Sequence, residues 1–349
     1  MEKVRIGFVG TGFMGQCAHL INYSQLDECR VTAIAEVRPQ LGEAVAARYG
    51  VEKVYRSHTE MLANEELDGI VASQPFWRHG LLLPDLFEAG VPVFTEKPLS
   101  CSVEAGEGIL AALQRSSGRH FLGYHKRSDP ASLFAREEIQ RLQESGELGA
   151  MRYVRILMPA GDFIASGDSH CIRTDEPPPE GARDPLPADM DEATQGDYSS
   201  FVNYYIHQVN LMRYLLGEDY RVSYADPSGV VLAVQSDSGM AGTIEMSPYR
   251  TSIDWQEEAL IAFERGYVRL ELPAPLASNR PGKVTLLRDP GEGAVPETVV
   301  PQLPWIHAMR QQALHFVRAV RGEAVPLSET EEGLKDLQVA RDYISMRRQ

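Results

Sequence analysis

Through the first third of the chain one pattern repeats: a short apolar run, a turn, then a stretch whose apolar positions recur every three or four residues. Val4-Arg-Ile-Gly-Phe-Val9, Arg30-Val-Thr-Ala-Ile-Ala-Glu-Val37, Leu67–Ala72, Val91–Thr95 and Arg119–Gly123 read as strands. Helices are expected between them at about 14–24, 40–49, 59–64, 79–89, 103–116 and 130–145. Such alternation predicts a parallel, doubly wound α/β sheet. After Gly149 the pattern changes to strands at 151–158, 229–235, 241–246, 258–263 and 267–272, several separated by hairpin-length gaps. This predicts an α+β part with a large, mostly antiparallel open sheet. Helices are expected near 199–216, 306–321 and 329–347, and the segment 159–196, rich in proline, glycine and acids, reads as a long loop or lid.

The first strand feeds into Gly10-Thr-Gly-Phe-Met-Gly15, a G-x-G-x-x-G turn. Gly10 permits the turn, Gly12 lets backbone approach phosphates, and Gly15 lets the helix pack on the strand, with Thr11, Phe13 and Met14 completing the cradle. The N-H groups and the positive end of the helix dipole would hold a pyrophosphate without a lysine. Glu36 ends the second strand at about the 20-residue spacing expected of a carboxylate on the adenosine ribose. Strand, turn, helix, strand and acid in this order point to a Rossmann dinucleotide-binding domain, and Glu36 favours NAD. Arg38 keeps NADP as the second option, because an arginine there can neutralise the extra phosphate.

At 349 residues the chain suits two domains, a dinucleotide-binding domain over 1–124 and a substrate-binding and oligomerisation domain over 125–349, with the closing helices at 306–347 able to pack back on the first. The net charge of -15 argues against nucleic acid or an anionic membrane as partner. Cys17, Cys29, Cys101 and Cys171 show no metal-ligand spacing, so no metal is expected and the thiols read as reduced and mostly buried. The N-terminus enters a strand without an apolar signal core, and no run approaches the roughly 18 apolar residues of a membrane span, which predicts a cytoplasmic protein.

Two stretches carry candidate chemistry. Glu96-Lys97-Pro98 follows a predicted strand, placing Lys97 at a carboxyl edge, where it could hydrogen-bond a hydroxyl and steady alkoxide character during hydride transfer. Glu96 could orient the ammonium. In the predicted helix 199–216, Asn203, His207, Asn210 and Tyr214 form one polar stripe, and His207 has the intrinsic pKa of a general base. His170, Cys171 and Arg173 could reach a ligand from the long loop.

The chain resembles the Gfo/Idh/MocA oxidoreductases over nearly its whole length. The resemblance rests on Gly7-Phe-Val-Gly-Thr-Gly-Phe-Met-Gly15, Ser73-Gln-Pro-Phe-Trp-Arg-His79, Glu96-Lys97-Pro98, Gly123-Tyr-His-Lys-Arg-Ser-Asp-Pro130 and Met212-Arg-Tyr-Leu-Leu-Gly217. It implies that Lys97 and His207 act on a sugar or cyclitol hydroxyl while the nicotinamide exchanges hydride with the same carbon. Gln74, Pro75, His79 and Glu96 join the cofactor set, and Tyr124, His125, Arg127, Tyr153 and Arg155 join Lys97, Asn203 and His207 around the substrate. Asn203 and Asn210 stand where the family commonly has acids, and Gly196-Asp197-Tyr198 replaces its Gly-Gly run. The resemblance also implies a homodimer or homotetramer. Three functions follow: an NAD-dependent dehydrogenase of sugars or cyclitols, a redox-assisted elimination or glycoside cleavage with tightly held NAD, and a non-catalytic dinucleotide sensor.

Overall fold

The computed structural model describes residues 2–177, 180–291 and 293–348; Pro178 and Pro179, within the expected loop, lie outside the described residues. Its first sheet has the order β15-β6-β5-β4-β1-β2-β3, built from β1 (Val4–Val9), β2 (Cys29–Ala35), β3 (Lys53–Tyr55), β4 (Gly69–Ala72), β5 (Val93–Glu96), β6 (His120–Gly123) and β15 (Ser328–Glu329). All pairs are parallel except β15 on β6. The strands β4, β5 and β6 are buried along their whole length, which explains their continuous apolar runs: helices cover both faces, and no alternation is needed. Chain order reverses between β1 and β4, and open α/β sheets bind ligands in the crevice at the carboxyl ends of such strands.

Helix starts follow local chemistry. Ser57 accepts from Glu60 N ahead of His58–Asn64, Ser102 from Ala105 N ahead of Val103–Gln114, and Asp129 from Ala131 N ahead of Pro130–Ser145. The helix expected at 14–24 is present, but Gly15–Leu20 is π-helical before Ile21–Tyr23 resumes the α form. Such wide turns occur often at functional sites.

The second sheet has the order β14-β13-β12-β11-β7-β10-β9-β8, from β7 (Met151–Ala160), β8 (Tyr220–Ala225), β9 (Val231–Ser236), β10 (Ala241–Arg250), β11 (Glu258–Phe263), β12 (Gly266–Glu271), β13 (Lys283–Arg288) and β14 (Glu297–Val299). Among the described residues of this sheet, only β7 and β10 pair in parallel. Val154, Ile156 and Met158 alternate inward on β7, and helix Ile206–Leu216 covers that face, with Gln208 Nε2 2.8 Å from Met158 Sδ.

The chain gathers into two compact units, one of residues up to Tyr124 with Ser166–Asn203 and Met309–Leu337, the other of His125–Ala165, Tyr204–Ala308 and the residues from Gln338 onward. Segment 166–203, which the sequence-based division places in the second domain, is grouped with the first, and so is 309–337, part of the closing helices expected to be able to pack back on it. The reason for the latter is apolar: Phe316, fully buried, has its ring 5.6 Å from Phe94 and 6.1 Å from Phe121.

Candidate active site

At the end of β1 each glycine of the turn meets a different constraint. Gly10 has φ +89°, and a Cβ there would strike Gln74 Nε2 and lie 2.7 Å from Ser73 O. A Cβ on Gly15 would lie 2.7 Å from Gly10 O, so the helix could not approach the strand. At Gly12 the nearest atom is Arg38 Nη2 at 3.8 Å, which leaves open space above the backbone. That is the cradle a pyrophosphate needs, and the residues fit a dinucleotide. Phe13 and Met14 open the helix beyond the turn, both half-buried.

Glu36 is 3% exposed and crowded with donors. Its Oε2 accepts from Thr11 N (2.9 Å), Thr11 Oγ1 (3.0 Å) and Arg38 Nη2 (3.2 Å), and its Oε1 from Arg38 Nε (2.8 Å) and Arg38 N (3.2 Å). Burial works to raise its pKa, but the hydrogen bonds from Arg38 and Thr11 outweigh it and hold the carboxyl below the usual range. Ribose hydroxyls would compete with Thr11 and Arg38 for these oxygens. A second carboxylate stands close by: Glu176 accepts from the amides of Gln40 (3.0 Å) and Leu41 (2.9 Å) at the start of helix Pro39–Tyr49, where Arg38 supplies no side-chain cap.

Glu176 belongs to a strap, the segment Ser166–Asn203 of the first unit. Four of its contacts fall where strands end and helices begin. After β1, Gln16 grips Ile172 by two bonds, Nε2 to Ile172 O (3.0 Å) and Ile172 N to Oε1 (2.8 Å). After β2, Glu176 caps the helix. After β4, Asp184 Oδ2 accepts from Gly80 N at 2.7 Å. After β5, Ser102 Oγ donates to Pro185 O at 2.9 Å. Of the expected loop over 159–196, Pro159 and Ala160 end β7, and the described residues from Ser166 onward form a strap tied along the carboxyl edge of the first sheet that ends in helix Glu192–Tyr204.

Lys97 follows β5 on the same edge, and its Nζ donates to Asn203 O at 2.6 Å. Glu96 Oε1 lies 2.8 Å from His19 Nε2, a partner on the π-helical turn that sequence reasoning did not single out. Its signal was its place one turn beyond Gly15. Pro75 opens the short turn Phe76–Arg78. His79, expected at the cofactor, is fully buried, with Nδ1 3.0 Å from Leu99 O and Nε2 3.3 Å from Gln74 O, so it braces the loops beside the crevice. Burial pushes its pKa down. Tyr124, expected at the substrate, is also buried.

In the second unit the helix expected over 199–216 is broken. Glu192–Tyr204 stops, Tyr205 forms a one-residue turn (φ -94°, ψ -2°), and Ile206–Leu216 begins. Asn203 is an exposed residue near the end of the first of these helices, while His207, Asn210 and Tyr214 lie on the second. The His207 ring lies 4.7 Å from that of His125, edge to face at 74°. Asn210 Oδ1 accepts from Arg127 Nε at 2.7 Å, and the Arg127 guanidinium lies 5.0 Å from the Tyr214 ring. Arg127, expected at the substrate, is buried and braces this helix. Tyr153 and Arg155, also expected at the substrate, lie on β7. They point to the face of β7 opposite Val154 and Ile156, away from helix Ile206–Leu216, where Tyr153 bonds Thr243 and Arg155 pairs with Glu258 and Glu245. Sequence reasoning also missed a buried Lys126–Glu257 ion pair, whose carboxylate accepts from Gln208 Nε2 at 2.7 Å.

Residues 4–124 match the model of an oxidoreductase family with an NAD-binding Rossmann fold, Gfo/Idh/MocA. The chain is similar to a myo-inositol 2-dehydrogenase of Thermotoga maritima, 25% identical over 242 residues that cover 69% of this chain and 63% of that enzyme. It spans about three fifths of the length of the first curated relatives it matches. Among solved structures it is similar to the aldose-aldose oxidoreductase of Caulobacter crescentus complexed with glycerol (17% identity, 99% and 98% coverage, TM-score 0.71). It is also similar to the WlbA dehydrogenase of Bordetella pertussis in complex with NADH and UDP-GlcNAcA (18% identity, 98% and 97% coverage, TM-score 0.67). At these identities the likeness is one of fold.

Proposed function

We propose, from the premise that residues 4–124 belong to the Gfo/Idh/MocA oxidoreductase family, that the chain transfers hydride between NAD and a secondary hydroxyl or ketone of a sugar, sugar derivative or cyclitol. The observation that carries this is the open backbone at Gly12 on the same sheet edge that carries Lys97. A nicotinamide bound there would supply the hydride acceptor. Lys97 donates a hydrogen bond to the substrate oxygen and favours its alkoxide character, exchanging its present bond to Asn203 O for one to substrate. His207 takes the hydroxyl proton at a ring nitrogen, with the His125 ring packed against it to limit its rotation. Asn203, an amide where the family commonly carries an acid, can position a hydroxyl but cannot carry the proton's charge.

NAD is favoured over NADP by two carboxylates. Glu36 holds the Arg38 guanidinium through both Nε and Nη2, and Glu176 occupies the amides of Gln40 and Leu41. A further phosphate near Arg38 would meet negative charge on both sides. The strap supports a second reading, redox-assisted elimination or glycoside cleavage with retained NAD, because its ties along the carboxyl edge oppose release of a cofactor beneath it.

The test is incubation of the protein with NAD and a panel of sugars, sugar acids, cyclitols and glycosides, following absorbance at 340 nm and product mass together. A dehydrogenase yields NADH, and His207→Ala lowers turnover by about 10²–10⁴-fold. Product without NADH establishes the second reading, and silence in both channels with NAD bound leaves a sensor.

A further inference from the structure

The strap brings a second cysteine to the helix that follows the glycine turn. Gln16 is clamped to Ile172 by two hydrogen bonds of 3.0 and 2.8 Å, and the residues next to this clamp are Cys17 and Cys171. Cys17 lies on the π-helical turn and is 6% exposed, whereas Cys171 is half-buried and reachable from solvent. The Cys171 sulfur, whose own bond is to Ile172 O at 3.8 Å, stands near enough to Cys17 to oppose ionisation of its thiol. The other cysteines have different surroundings: Cys29 Sγ lies 3.5 Å from Tyr23 O, and Cys101 Sγ lies 3.5 Å from Asp184 O and 3.4 Å from Pro185 O.

We propose that Cys17 and Cys171 form a peroxide-responsive thiol pair whose disulfide fastens the strap to the dinucleotide turn. The Cys171 thiolate attacks a hydroperoxide, forming an S–O bond as the O–O bond breaks and hydroxide, or alcohol from an organic peroxide, departs. Cys17 then loses its proton and attacks the Cys171 sulfur. The S–S bond forms, the S–O bond breaks, and the departing hydroxide takes up the proton as water. Two thiols are oxidised by two electrons in total, and one peroxide is reduced by two. A reductant thiol reverses the closure by exchange.

Burial first, and then the neighbouring Cys171 sulfur, push the Cys17 thiol up to about 12, so Cys17 is inert by itself and Cys171 is the entry point. Asp168 and Arg173 flank the pair from the strap, joined to each other at 3.1 Å, with the Tyr49 hydroxyl nearby on helix Pro39–Tyr49. The bond needs no cofactor to form, so it stands or falls apart from the assignment of NAD.

The experiment treats the full chain with hydrogen peroxide, alkylates remaining thiols under denaturing conditions, and maps peptides without reduction. The expected result is loss of two hydrogens, a peptide pair joining Cys17 to Cys171, alkylated Cys29 and Cys101, and full reversal by dithiothreitol. Cys171→Ser should abolish the linkage while leaving the circular dichroism spectrum unchanged, and tryptic cleavage at Arg173 should slow at least fivefold in the oxidised protein. Over-oxidation of Cys171 with Cys17 still alkylated, or a linkage involving Cys29 or Cys101 instead, overturns the proposal.

Discussion

Among single residues, buried histidines give the sharpest expected outcomes. His120 is enclosed between the Thr95 and Thr330 hydroxyls, each 2.9 Å from a ring nitrogen, and burial pushes its pKa down to about 3. Burial, followed by the charge of Arg318, lowers His315 to about 4. Below about pH 6.5 the unfolded chain binds protons at both positions and the folded chain does not, so stability is fully present above that value and falls as pH drops toward 4. Each histidine contributes on the order of 3 kcal/mol to this loss. Urea titrations from pH 8 to 4 should show the decline, and His120→Gln should flatten it; an unaltered slope in the variant would assign the acid sensitivity elsewhere. The glycines were legible at this scale because each role leaves a sterically distinct mark. Arg127 was not, since a guanidinium in a sequence looks the same whether it faces a ligand or, as here, Asn210 and Tyr214.

Elements were legible where periodicity was strong. The strands at 4–9, 69–72 and 120–123 and the helices at 103–114 and 130–145 fall close to their expected positions, because apolar runs and Ser or Asp caps mark them locally. Lys53–Tyr55, Ser328–Glu329 and Glu297–Val299 escaped because strands of two or three residues carry no period. The break at Tyr205 also escaped, since Tyr, Ile and His on either side are compatible with an unbroken helix. The strap was visible only as a loop, its ties being contacts between residues far apart in sequence. One of those ties carries an expectation about cofactor choice. Glu176→Gln removes a negative charge beside Arg38 and keeps a side chain of the same shape, so NADP binding should tighten about tenfold, ~1.4 kcal/mol, with NAD affected less than twofold. Titration of both dinucleotides against the variant checks this, and equal changes for the two would remove Glu176 from the discrimination.

Across the whole molecule the sequence indicated two sheets, but the divided membership of the units depends on packing that no local pattern carries. Phe316 and Val317 complete the core of the first unit, and Ser328–Glu329 extends its sheet. A fragment of residues 1–124 should therefore expose Phe94 and Phe121, bind a hydrophobic dye and lack a cooperative melting transition. A native-like melt of that fragment would show that the later helix is dispensable. The late arrival of Phe316 also has a consequence for biosynthesis. A ribosome adding about 5–20 residues per second reaches Phe316 roughly 10–40 s after it has made β6. Throughout that interval the aromatic floor of the nascent first sheet waits uncovered, so the cell, not the test tube, is where this chain has most need of a chaperone.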